Sequence, residues 1–342
     1  MLFRYVAASL LALSASLPVR AAGQVLEIGY LPILPAAQLF VGLESGDLLP
    51  EGEPAPRLVS FQSGPALTQA LIAGQLDVAY VGIGPALVAK AKGADVKVVA
   101  SNIVEQVNVL AVGELAGYFD AKKSVGAPDF TAAVARFTQE KGRKPIIASY
   151  PKGSVPEAAL QYWLRHVLGL PDGAVELIYQ GEAQIQQALS NHAVDAAAIL
   201  EPTVSQILQR QPDAKVLAQG AELFPNQPGA VLLVREALIQ SRPELVQHLV
   251  DAQVRSTAML REAPAQVAPY VQKYVGGGRL PKDVVQGAIE RSHHQFQADP
   301  VKIIEATGKL QAFQASLGTL SAKLDDVQSL FDIRFYQKAV PQ

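Results

Sequence analysis

Ten short apolar runs punctuate the chain, at residues 25–30, 58–61, 78–81, 96–100, 107–112, 146–149, 175–179, 196–200, 216–218 and 231–234. Their lengths and their Val, Ile and Ala content suit buried strands. Between most of them the apolar positions shift to helical spacing, as at 65–73, 85–92, 156–167 and 183–190. Strand–helix alternation predicts an α/β fold whose sheets are mainly parallel and carry helices on both faces. After Arg235 the pattern is helical only. There Ser241-Arg-Pro-Glu244 reads as a capping box, followed by one apolar face of Leu245, Val246, Leu249, Val250 and Val254.

One stretch is echoed later in the chain. Residues 69–100 lie on residues 187–218 at a constant offset of 118, without a gap and with nine identities in 32 positions. Gln69-Ala70-Leu71 falls on Gln187-Ala188-Leu189, and Asp77 falls on Asp195. Helix lies on helix and strand on strand, which predicts two similar αβ lobes with a cleft between them. Ligands of such folds bind in clefts outside the carboxyl ends of parallel strands.

The N-terminus adds an address. Arg4 precedes an apolar stretch from Tyr5 to Leu17, and Val19-Arg20-Ala21 supplies a cleavage site. Residues 1–21 therefore read as a secretory signal, too short in its apolar run to span a bilayer. With no Cys anywhere, lipid anchoring and disulfides are excluded. The expectation is an exported periplasmic protein. Losing Arg4 and Arg20 takes the formal charge from −2 to −4, which leaves no electrostatic footprint for nucleic acid.

Candidate binding groups sit at the strand-to-helix turns. GPAL occurs at Gly64–Leu67 and again at Gly84–Leu87, each time after an apolar run. Gly64 and Gly84 permit a sharp turn, while Pro65 and Pro85 occupy the first helical turn at little cost. "SYPKGSVPEAAL" repeats the device with Gly153 and Ser154 before Pro156. Exposed N–H groups at such helix starts seat negative charge, each contributing about 0.3–1 kcal/mol before Ser63 and Ser154 add hydroxyls. Gly-Pro turns of this kind also serve purely structural ends. Glu201, at a strand end before Pro202, either accepts from an N–H donor of a ligand or ion-pairs to brace the hinge. Tyr30, Tyr80 and Tyr150 either wall a pocket or belong to the core.

Catalytic patterns fail on the same residues. "VGIGPAL" begins like a dinucleotide fingerprint, but Leu87 stands at its third glycine. "FQSGP" has Phe61 where a nucleophile elbow requires Gly, and "YPKGS" lacks the P-loop spacing. Five His without Cys offer little for a metal, and His293-His294 read as a solvated pair. No acid–base pair, cofactor site or metal site is nominated.

"SFQSGPALTQALIAGQLDVAYVGIGPALVAKAKGADVKVVA" resembles the nitrate/sulfonate/taurine-type periplasmic solute-binding proteins of ABC importers. The likeness continues through "PKGSVPEAALQYWLRHVLGL", "QIQQALSNHAVDAAAILEPT" and "VLLVREALIQSRPELVQHLVDA". It implies a two-lobe type II periplasmic-binding fold, with residues 22–106 plus 219–342 in one lobe and 107–218 in the other. It also implies a monomer that closes on one small solute and hands it to an inner-membrane permease with its ATPase. The implied pocket comprises Ser63-Gly64, Gly82 to Pro85, the Ser154 turn and Glu201-Pro202. Such proteins more often carry an aromatic-Asp-Pro where this chain has Leu200-Glu201-Pro202. That departure speaks against nitrate and for an aminosulfonate, an aminophosphonate or a heteroaromatic amine such as a thiamine-pyrimidine precursor. Enzymes of the same fold remain the competing class. The segment 114–144 is longer than usual and has no functional account.

Overall fold

A computed structural model describes residues 25–120, 126–320 and 322–340. The signal segment 1–21 lies outside the described residues. Ten strands form: β1 Glu27–Tyr30, β2 Arg57–Ser60, β3 Val78–Gly82, β4 Val96–Ser101, β5 Asn108–Ala111, β6 Ile146–Ser149, β7 Glu176–Tyr179, β8 Ala196–Ile199, β9 Lys215–Gln219 and β10 Ala230–Arg235. They assemble into two five-stranded sheets of identical plan, β2-β1-β3-β10-β4 and β7-β6-β8-β5-β9. The expected pair of αβ lobes is present, and every apolar run noted above carries a strand. Four of the five strands in each sheet run the same way, as expected, and one opposes them. Pairings among β2-β1-β3 and β7-β6-β8 are parallel, whereas β10 and β5 run antiparallel to both neighbours. Each of these two strands enters its sheet directly from the other lobe, so no crossover helix turns it round.

The repeat is real in space. Helix Gly64–Ile72 maps residue for residue onto helix Glu182–Ser190 at the same offset of 118. The matched aspartates do the same work. Asp77 accepts from the backbone N–H of Glu27 at 3.0 Å, and Asp195 accepts from that of Ile146 at 2.8 Å. Each carboxylate thereby ties the start of one strand to the start of its parallel neighbour, and each has an arginine beside it. Arg143 grips Asp195 through both terminal nitrogens at 2.6 and 2.8 Å, while Arg235 stands 4.0 Å from Asp77.

The chain crosses between lobes at 102–107 and 220–229, and the two crossings run side by side. Glu105 N–H donates to Gln227 O at 2.8 Å, and Gly229 N–H donates to Ile103 O at 3.1 Å. C-terminal helices close around this hinge. Helix Val301–Ser316 reaches the second lobe, where Phe313 packs edge-on to Tyr162 and Gln314 Nε2 donates to Gly153 O at 3.2 Å. The anticipated Ser241 cap is absent. Ser241 ends helix Glu236–Ser241 and donates back to Ala237 O, because Arg242 is the residue that breaks the chain before helix Pro243–Glu262. The segment 114–144 supplies core: Phe130 and Phe137 are fully buried, and Phe130 meets Trp163 edge-on at 4.8 Å.

Candidate functional site

The two GPAL turns pack on each other. A β-carbon on Gly64 would lie 2.6 Å from Pro85 Cγ, so only glycine lets the helix starts approach this closely. Thr68 Oγ1 donates toward the carbonyls of both Gly64 (3.0 Å) and Pro85 (3.3 Å), locking the pair. Opposite them stands the second-lobe turn. Gly82 has room for no more than 3.1 Å to Val155 Cγ2, and Gly84 for 3.0 Å to the carbonyl of Gly153. Leu34 N–H further donates to Glu201 O at 3.2 Å. The lobes therefore touch across the cleft, as in a closed form.

Between the turns lies a narrow, partly open chamber of about 40 Å³, room for a few water molecules. Of the sequence-nominated residues, Gly64, Gly82, Pro85 and Ser154 line it. Tyr80 and Tyr150 wall it while also being buried, so both readings of these tyrosines hold together. No charged side chain lines it among the described residues. Its polar groups are neutral and few. The Tyr150 hydroxyl and Gln106 Oε1 are buried without a protein partner, an arrangement that costs about 1–3 kcal/mol per group unless a ligand supplies the bond. Ser154 Oγ caps its helix by accepting from Glu157 N–H at 3.3 Å, which leaves the hydroxyl proton free to donate. Burial pushes the Tyr80 hydroxyl pKa upward, keeping it a neutral donor.

The remaining nominated residues fall elsewhere. Ser63 caps helix Gly64–Ile72, accepting from Ala66 N–H at 3.4 Å, and Pro65 sits in its first turn. Gly153 adopts φ +87°, as only glycine does readily, and its N–H donates to Glu157 Oε2 at 3.3 Å. Burial raises the pKa of the Glu157 carboxyl. Pro202 lines a second, outer space, and the Glu201 side chain faces a third one behind the hinge. Glu201 is buried and fully engaged: Ser205 N–H donates to it at 3.0 Å, Ser205 Oγ donates too, and Arg291 Nε donates at 2.9 Å. These contacts are those expected of the bracing alternative for Glu201. Three donors thus occupy its two oxygens, two of them on Oε2 and one on Oε1.

Two groups escaped the sequence reading. Gln106 sits in a crossing segment with no periodic signal. Glu182 lines the outer space of about 480 Å³, which adjoins the chamber along Leu31 and Ile33. One signal would have found it: extending the 118-residue offset five positions back places Glu182 on Gly64, the first helical residue of each copy. Burial, joined by repulsion from Glu201 and opposed by the bond from Thr203, lifts the Glu182 carboxyl to about 7.

Twin sheets of one plan joined by a doubled crossing have the type II periplasmic-binding fold. Within that fold class the chain belongs to the NMT1-like family, which it matches over residues 21–273. It is 28% identical over 192 residues to a binding protein of Brucella abortus (strain 2308), covering 56% of this chain and 52% of that one. The chain thus spans about half the length of the Brucella relatives it matches. It is 26% identical over 285 residues to an aliphatic sulfonates-binding protein of Bacillus subtilis (strain 168), covering 83% and 78% of the two chains. The crystal structure of the periplasmic nitrate-binding protein of Synechocystis PCC 6803 superposes with a TM-score of 0.75 at 16% identity, over 92% of this chain and 88% of that one.

Proposed function

We propose that the protein is the solute-binding component of an ABC importer and that its chamber takes the sulfonate head of a small organic solute. One observation carries this reading: a narrow interlobe chamber, free of charged walls, with the buried Tyr150 hydroxyl left unpartnered. A sulfonate spreads one negative charge over three acceptor oxygens, which neutral hydroxyls can satisfy without the desolvation of a counter-ion. Glu157, buried one turn into the facing helix, disfavours a doubly charged phosphonate in the same place. The sulfonate named for the Bacillus subtilis relative agrees with this choice. A second reading, a heteroaromatic amine such as a thiamine-pyrimidine precursor, draws on the tyrosine walls and the free Gln106 acceptor.

Under the proposal residues 22–106 plus 219–342 form one lobe and 107–218 the other. The exported monomer, cleaved near Ala21, binds without catalysis, and an inner-membrane permease with its ATPase reads the closed form. No helix of the described residues is long and apolar enough to cross a membrane. A thermal-shift series with propane-1-sulfonate, propane-1-phosphonate and an aminopyrimidine tests the assignment. At 100-fold excess over its dissociation constant the true ligand adds about 2.7 kcal/mol of stability. The sulfonate should give the largest shift. A larger response to the aminopyrimidine selects the second reading, and silence toward all three rejects both.

A further inference from the structure

Rotation of one lobe against the other has to be absorbed by backbone dihedrals in the crossings at 102–107 and 220–229. Among the described residues three non-glycines take a left-handed φ: Glu105 at +50°, His192 at +53° and Asn226 at +56°. Two of them have local reasons. His192 closes the end of helix Glu182–Ser190, and at the offset of 118 it falls on Gly74, whose φ is +69°. Asn226 follows Pro225 in a turn closed by Gln227 N–H donating to Phe224 O at 3.0 Å, a position that asparagine fills readily. Glu105 has no such reason. It lies in mid-crossing, away from any helix end, and it lacks the short polar side chain that eases asparagine or aspartate into this region.

Three bonds hold Glu105 in place. Its N–H donates to Gln227 O at 2.8 Å, its carbonyl accepts from Gln295 Nε2 at 2.8 Å, and its carboxylate accepts from Asn226 N–H at 3.0 Å. Two of the three come from the second crossing, so the strained backbone is kept by the way the crossings lie against each other. The residue borders a space of about 560 Å³, which leaves its peptide room to turn over.

We propose that Glu105 is a sprung pivot: its left-handed backbone belongs to the closed form and relaxes when the lobes part, so that the unliganded protein rests open. A costly φ persists only where surrounding contacts impose it, and such residues gather at switches. The strain sets a bias that the solute's own contacts must exceed before the lobes stay shut. This rests on lobe closure as the binding step and on no particular solute.

Small-angle scattering and melting of the unliganded protein test it on Glu105→Asn, Glu105→Gly and Glu105→Ala. All three lose the bond from Asn226, but asparagine and glycine tolerate the left-handed region and alanine does not, so alanine reports the lost bond alone. The unliganded wild type and Glu105→Ala should both be open. Glu105→Asn and Glu105→Gly should have smaller radii of gyration than Glu105→Ala, with the closed-to-open ratio raised about fivefold or more. Where propane-1-sulfonate binds, their affinity for it should exceed that of Glu105→Ala by the same factor. The asparagine variant shows that the gain is not glycine flexibility. A compact unliganded wild type overturns the proposal. Equal radii among the three variants, with equal affinities if propane-1-sulfonate binds, overturn it too. A higher melting temperature for asparagine and glycine at equal radius would then mark the strain as static, present in both forms.

Discussion

Replacing Gly84 by alanine should hold the lobes apart. The residue is second in helix Ile83–Ala91 and its φ lies outside the left-handed region, so alanine fits the backbone and improves the helix by about 0.5–1 kcal/mol. Its β-carbon, however, would stand 2.8 Å from Gln314 Nε2 and 3.0 Å from the carbonyl oxygen of Gly153. The glutamine end can swing away. The Gly153 carbonyl is backbone of the opposite lobe and yields only if the cleft opens by a few tenths of an ångström. Overpacking of this kind costs about 1–3 kcal/mol, and here the cost falls on the closed form alone. Solute affinity should therefore drop roughly 5- to 150-fold, while the unliganded protein melts at the same temperature or slightly higher. Calorimetry with the best sulfonate measures the first quantity, and at saturating solute small-angle scattering should show a larger radius of gyration for the variant than for the wild type. An unchanged affinity together with an unchanged scattering curve would refute the claim that these two turns meet on closure.

Other outcomes follow from single residues. Glu182 has its carboxyl raised from the ordinary 4.5 to about 7, so the folded state holds a proton that the unfolded state releases first. Stability from this group is present below pH 4.5 and lost as the pH rises through 7, amounting to about 3 kcal/mol at ~1.4 kcal/mol per pH unit. Glu182→Gln should flatten the urea-denaturation profile over that window; an unaltered slope would show that burial does not govern the group. Glu201→Ala should cost about 1–3 kcal/mol through the lost bonds from Ser205 and Arg291, with solute affinity within about threefold of wild type. A selective loss for amine-bearing solutes would return Glu201 to the ligand. Asp195→Asn should destabilise more than Asp77→Asn in chemical denaturation, because Arg143 binds Asp195 through two bonds below 2.9 Å whereas Arg235 stands 4.0 Å from Asp77. Equal losses would mean the backbone bonds from Ile146 and Glu27 carry the whole effect.

Local pattern alone determined the ten strands, the helices at 64–72 and 182–190, and the repeat that sets lobe on lobe. Periodicity, glycine turns and proline at helix starts are properties of neighbours in the chain, so a sequence carries them openly. Four of the ten nominated residues line the chamber for the same reason, since Gly64, Gly82, Pro85 and Ser154 are turn residues before they are wall residues. Strand direction at β5 and β10 was not legible, because it depends on which lobe each strand crosses into. Nor was the engagement of Glu201, whose partner Arg291 lies 90 residues away. Only the tertiary structure decided that this acid takes three donors and that one Glu182 oxygen takes none. Whether a carboxylate braces or recognises is set by how many donors the fold delivers to it, and those donors come from segments that local sequence does not connect.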